Sequence, residues 1–167
     1  MFTEKMQRAF NEHINAEIYS AYLYFSMAAY FDRRGLPGFA TWMKAQAQEE
    51  MAHAVKAYDF VNERGASVLL AAINAPPNEW DSVLDVFEAA LAHEKIVSQR
   101  IDELVALAEA EKDRASRIFL DWFVTEQVEE EANFDTLIQQ LRLIRDAPHA
   151  LFMMDRELGQ RTFQPPA

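Results

Sequence analysis

The fold expected from this chain is all-α: a four-helix bundle with one long crossover connection and a short fifth helix at the C-terminal end. Three observations lead there. Residues 1–34, 39–64 and 78–147 contain neither glycine nor proline, the common helix breakers. Within them apolar residues recur at helical spacing, as in Ile18, Tyr22, Phe25 and Ala29. The segment 66–80, ASVLLAAINAPPNEW, is too long for a tight turn and carries two of the six prolines.

The first helix is expected over about 5–33, ended by RRGLPG, and the second over about 38–64, closed by Gly65 at its C-terminus. A single helix over 78–147 would be about 105 Å long, more than a domain of this size can cover. The charged EAEKDR at 109–114 is the natural break, with Asp113 as N-cap of the next helix. That gives helices over about 81–109 and about 113–145. Asp146-Ala147-Pro148 then opens a fifth, over about 148–160, with Pro148 in its first turn.

Short turns make the first and second helices, and the third and fourth, antiparallel hairpins. Residues 66–80 can span about 50 Å when extended, against about 40 Å for the second helix. The connection can therefore run the bundle's whole length and leave the second and third helices parallel, so 1–167 is read as one domain.

Composition narrows the function. Sixteen basic against 27 acidic residues give a net charge of −11, which disfavours nucleic acid and anionic membranes and favours cations. With no cysteine there can be no disulfide, zinc-thiolate site or thiolate-bound cluster. The N-terminus lacks the apolar core of a signal peptide, and the longest apolar stretch, AYLYFSMAAYF, is about half a membrane span. A cytoplasmic protein is expected.

The chemistry is concentrated in a hidden repeat. Residues 45–53 read AQAQEEMAH, placing Glu50 and His53 at i and i+3 on one helix face. Glu17 lies 33 residues before Glu50, and Glu94 lies 33 residues before Gln127. A shift of 77 carries Glu17 onto Glu94, Glu49 onto Glu126, Glu50 onto Gln127 and His53 onto Glu130. Hairpin pairing about the two turns brings all of Glu17, Glu50, His53, Glu94, Gln127 and Glu130 to one height. Taken singly, a mid-helix glutamate is a solvated residue, a lone histidine is packing and EQVEEE (126–131) is a wet acidic face. Together, like charges at i, i+3 and i+4 are unfavourable unless something neutralises them. Carboxylates with one imidazole and no thiolate suit iron, manganese or, less selectively, zinc. A bridging glutamate with terminal Glu and His ligands is the di-iron carboxylate pattern of bundle cores.

NAEIYSAYLY, QEEMAH, HEK and FLDWFVTEQVEEE, each on its own helix, resemble the non-haem bacterial and archaeal ferritins, as do the PPNEW crossover and the LFMMDRELGQR tail. The resemblance covers nearly the whole chain and implies the ferritin-like bundle. It implies that Glu17, Glu50 and His53 bind a first iron, with Glu50 bridging to a second held by Glu94 and Glu130 and Gln127 close by. Glu49, Glu126 and Glu129, with Glu130, match a third, weaker iron site, and Tyr24 and Trp122 match aromatics near the centre. It further implies oxidation of Fe²⁺ by O₂ or hydrogen peroxide and mineral storage in a hollow homo-oligomeric shell of 24 subunits.

Departures separate the relatives. Bacterioferritins and rubrerythrins carry a second Glu-x-x-His on the fourth helix, where this chain has Gln127 and Glu130. Met51 occupies the position of the bacterioferritin haem-binding methionine, yet a lone helical methionine is ordinarily packing, so haem is not expected. Trp42 and the methionines are assigned to packing, and His13, His93 and His149 to no constellation; His93 is expected to face away from Glu94. Leu151, Phe152, Met153, Met154 and Leu158 of the fifth helix are expected to need cover from neighbouring copies. The competing readings are a di-iron peroxidase or oxygenase without storage, and a purely structural bundle with decorative acids.

Overall fold

The computed structural model describes residues 2–145 and 147–165. Its element order is α1 (Glu4–Arg33), α2 (Pro37–Glu63), α3 (Val83–Ala110), α4 (Arg114–Ile144) and α5 (Pro148–Leu158), each within two residues of the expected bounds. The expected opening of α5 at Asp146 lies outside the described residues.

Local chemistry sets most of the ends. Thr3, Ser82 and Asp113 accept from the backbone N–H three residues on, capping α1, α3 and α4. Beyond α1 and α2, Gly35 and Gly65 both take φ of 71°, the left-handed conformation that closes a helix. The turn after α3 closes the same way, but with Lys112 at φ 55° in the glycine position.

Arg64, just past α2, bonds both carboxylate oxygens of Asp113 at 3.0 Å. The ends of α2 and α3 therefore sit together, and the two helices are parallel. The crossover between them runs alongside α1, and α1 side chains serve its backbone. Asn11 donates to Ser67 O and accepts from Leu69 N; Asn15 donates to Ala71 O and Ala72 O; Arg33 donates to Asn78 O. Several carbonyls of an extended segment that has no strand partner among the described residues are thus satisfied.

The apolar interior is in two parts. One is built around Phe10, Phe60, Ile101, Leu120 and Phe123, the other around Tyr24, Phe31, Phe39, Phe87 and Phe134. Between them, on all four long helices, the buried residues turn polar: Glu17, Glu50, His53, Glu94, Gln127 and Glu130. The expected coincidence of height is realised as a polar layer clamped between two apolar cores.

α5 departs in one respect from expectation. Met154 and Leu158 are buried and Leu151 packs against the core of the same chain, while Phe152 and Met153 stay 57% and 61% exposed. The reason is at the start of α2, which has no side-chain cap of its own. Asp155 supplies it from α5, accepting from Phe39 N at 2.9 Å. The approach is so close that a Cβ on Gly38 would meet Asp155 O at 1.6 Å. Gly38→Ala is therefore expected to push α5 off α2 and to lower stability by about 2–4 kcal/mol, through the lost cap and uncovered Met154 and Leu158. Denaturant unfolding checks this; an unchanged midpoint would contradict the docking.

Candidate metal centre

The layer's polar side chains are positioned by helix periodicity. His13, Glu17, Ser20 and Tyr24 lie one turn or so apart on α1; Gln46, Glu50 and His53 do so on α2. α3 contributes His93 and Glu94, and α4 contributes Gln127 and Glu130. Glu17, Glu50, Glu94 and Glu130 are all at most 6% exposed.

Glu17, Glu50 and His53 each offer a ligand atom within 4.8 Å of the other two, and among the described residues they form the one such group. His53 Nδ1 lies 3.5 Å from Glu50 Oε2 and 3.9 Å from Glu17 Oε2. Glu17 Oε2 is buried with no hydrogen-bond partner. Opposite, Glu94 is held at both oxygens. Tyr24 OH donates to Oε1, and Gln127 Nε2 donates to Oε2 at 3.0 Å and to the Glu94 carbonyl at 3.2 Å. Gln46 Nε2 joins the two sides, donating to Glu50 Oε1 at 3.0 Å and to Glu130 Oε2 at 2.7 Å. Trp122 meets the His53 ring edge-on at 5.2 Å between centroids.

Crowded carboxyls in a dry layer cannot all stay ionised. Burial, followed by the neighbouring Glu50 charge, pushes Glu17 and Glu130 well above the ordinary carboxylate range and Glu94 up to about 8. Burial pushes Tyr24 up as well, reinforced by Glu94. For Glu50, burial is outweighed by the hydrogen bond and the charge of His53, with the Gln46 hydrogen bond adding to them, so it falls below the ordinary value. His53 rises despite burial because Glu50 faces it. In the metal-free layer burial thus favours the protonated forms of Glu17, Glu94 and Glu130, while Glu50 and His53 each favour the other's charged form, a donor set that divalent cations can fill by displacing protons.

Residues 7–144 match the ferritin-like domain family. The chain belongs to the ferritin family. Bacterial non-heme ferritins of Bacteroides fragilis (strain 638R) and Staphylococcus aureus (strain MRSA252) are 46% and 40% identical over 161 and 163 residues, covering 96% and 98% of this chain and 100% and 98% of those proteins. Among solved structures, an open pore ferritin from the hyperthermophilic archaeon Archaeoglobus fulgidus is 54% identical with a TM-score of 0.96, covering 97% of this chain and all of that one. A humanized archaeal ferritin is 52% identical with a TM-score of 0.98, covering 99% of this chain and 100% of that chain.

Three residues of this ferritin's layer escaped the sequence reading. His13, assigned there to no constellation, is buried with Nε2 3.2 Å from Glu17 Oε1 and its ring edge against Phe123. Burial, then the charge of His53, lowers its pKa to about 4. His93, expected to face away, places Nε2 2.7 Å from Ser20 Oγ and packs on Tyr19 and Tyr24. Gln46 is the third. His13 and Gln46 each stand four residues before a ligand candidate, so helical spacing could have flagged both. His149 is exposed, as are Met51 at 42% and, on α4, Glu129. Glu49 and Glu126 are half-buried, and Glu49 is ion-paired with Arg161.

The protonated layer has a consequence for stability. Between the ordinary value of 4.5 and about 8, folded Glu94 keeps a proton that the unfolded chain has lost. Folding then takes up protons, so raising pH destabilises the metal-free protein; Glu17 and Glu130 act in the same direction. Glu50, shifted down, has the opposite sign but acts below 4.5, and His13, lowered to about 4, opposes the carboxyls between about 4 and its ordinary 6.5. Tm of the metal-free protein is expected to fall by roughly 3–5 °C per pH unit for each such carboxyl as pH rises from about 6.5 to about 8, where His13 no longer opposes them. Bound divalent metal should flatten that slope. A metal-free Tm that is level or rising over the range would contradict a protonated layer.

Proposed function

We propose that this chain takes up Fe²⁺, oxidises it at a two-iron centre in the polar layer and stores the ferric product inside a hollow homo-oligomeric shell. The observation that carries the reading is the buried Glu17–Glu50–His53 group, with Glu94 and Glu130 at the same height on the other hairpin. A purely structural bundle gains nothing from four carboxyls in its middle, which stay there only as protonated acids or with cations beside them.

In this reading Glu17 and His53 hold the first iron, Glu94 and Glu130 the second, and Glu50 bridges them. The carboxyl protons leave as the cations enter. Each Fe²⁺ gives up one electron, so an iron pair reduces O₂ to hydrogen peroxide with two protons, or hydrogen peroxide to two waters with two protons. Gln127 and Tyr24 fix Glu94 by the hydrogen bonds described, and Tyr24 is also within reach as an electron donor to the pair. Glu49, Glu126 and Glu129, with Glu130, would hold a third iron more weakly, since only Glu130 of these is fully buried. No haem role is assigned to Met51.

A shell of 24 subunits is the assembly that the family resemblance implies. Several apolar side chains left exposed, Tyr22 and Phe25 on α1, Leu69 and Leu70 on the crossover, and Phe152 and Met153 on α5, are surfaces for neighbouring copies. Among the described residues no helix is long and apolar enough to cross a membrane.

Fe²⁺ added in air to the metal-stripped protein, followed by absorbance and then by size exclusion, tests both halves. A fast iron-dependent absorbance rise and iron co-eluting with a large particle are expected. A small particle that oxidises iron without retaining it would favour a non-storage di-iron oxidase. Glu17→Ala and His53→Ala should each slow the fast phase by at least the 10–100-fold typical of losing even an outer partner of a metal ligand, about 1.4–2.8 kcal/mol, with assembly intact. Parental rates in both would show the centre to be misplaced.

A further inference from the structure

Beyond α5 the chain returns to α2 through Arg161. Its Nη2 donates to Gln46 Oε1 at 2.9 Å and forms an ion pair with Glu49, and its guanidinium lies 4.2 Å from the centroid of the Trp42 ring. Arg161 and Glu49 side chains are only 19% and 21% exposed. The same Gln46 donates through Nε2 to Glu50 and Glu130. The two ends of one amide thus connect the tail's cation to two carboxylates of the metal centre. With its oxygen held by Arg161, Gln46 presents its NH₂ to Glu50 and Glu130; turned over, it would set oxygen against the Glu50 carboxylate and its NH₂ against the Arg161 guanidinium.

We propose that Arg161 is a built-in cation that occupies Glu49 in competition with a third metal ion and, through Gln46, positions Glu50 and Glu130. The inference rests on the reading of Glu49 as part of a third ion site. An ion can use Glu49 fully only by displacing the guanidinium, since an Arg-bound oxygen is a poor metal ligand. Displacement also releases Gln46 Oε1, so that filling the outer site is felt at the two inner carboxylates. Arg161 acts here as a positioning residue and a competitor, touching no reacting atom itself.

The test is an anaerobic calorimetric titration of the assembled, metal-stripped protein with Zn²⁺, a redox-silent divalent ion. Parent, Arg161→Gln, Arg161→Met, Arg161→Lys and Glu126→Gln are compared. Removing the guanidinium is expected to strengthen the third, weakest site about tenfold, the scale of one charge-assisted contact. Arg161→Met, which keeps an apolar stem over Trp42, should match Arg161→Gln, and Arg161→Lys should stay near the parent. A tail that merely docks would leave the third site unchanged or weaken it on removal, and either result overturns the proposal. If the parent, Arg161→Gln and Glu126→Gln all bind two ions only, the third-site reading itself falls and takes this inference with it. Three ions in the parent with no gain in Arg161→Gln overturns the competition alone.

Discussion

Four carboxyl groups buried at one level of a helical bundle repel one another and lack water, and the rest of the structure can be understood as what holds them there. Each ionised carboxylate moved into such a layer costs several kcal/mol, even after relaxation. The metal-free chain reduces that cost by keeping protons on Glu17, Glu94 and Glu130 and by pairing Glu50 with His53. Hydrogen bonds from Tyr24, Gln46 and Gln127 take up some of the remaining oxygens, while Glu17 Oε2 stays without a partner. Protons and cations are interchangeable in such a layer, which is why a site of this kind binds metal with proton release.

The scaffold supplies the opposing stability. Aromatic and aliphatic side chains fill the bundle above and below the layer, so neither hairpin can slide to relieve the crowding without uncovering a core. Arg64 and Asp113 fasten one end of the two hairpins, and Asp155 fastens α5 to the other. The crossover is tied along α1 by Asn11 and Asn15. The candidate ligands come from the middles of long helices, where the backbone is least free to move.

Much of this was legible in the chain. Helix bounds followed from where glycine and proline stand, and Asp113 was readable as a cap because an acid there precedes a long helical run. The level of the polar layer followed from equal spacing in the two hairpins. What could not be read depends on tertiary contact. Asp155 caps a helix more than a hundred residues earlier, and nothing local to it signals that. Arg161 reaches Gln46 and Glu49 across a similar gap. The partners of His93 were not readable either, because helical angle alone says where a side chain leaves the backbone, whereas the Ser20 hydroxyl and two tyrosine rings decide where it ends. Part of the α5 stripe was assigned to neighbouring copies because the close approach permitted by Gly38 is invisible without the packing.

The central claim is that the buried acids of the polar layer are a two-ion site. Anomalous X-ray scattering at the iron edge, from crystals of the metal-stripped protein loaded anaerobically with Fe²⁺, addresses it most directly. Two peaks are expected in every subunit, one among Glu17, Glu50 and His53 and one among Glu50, Glu94 and Glu130. Iron found only at surface acids, with the layer still empty and its carboxyl hydrogen bonds intact, would contradict it.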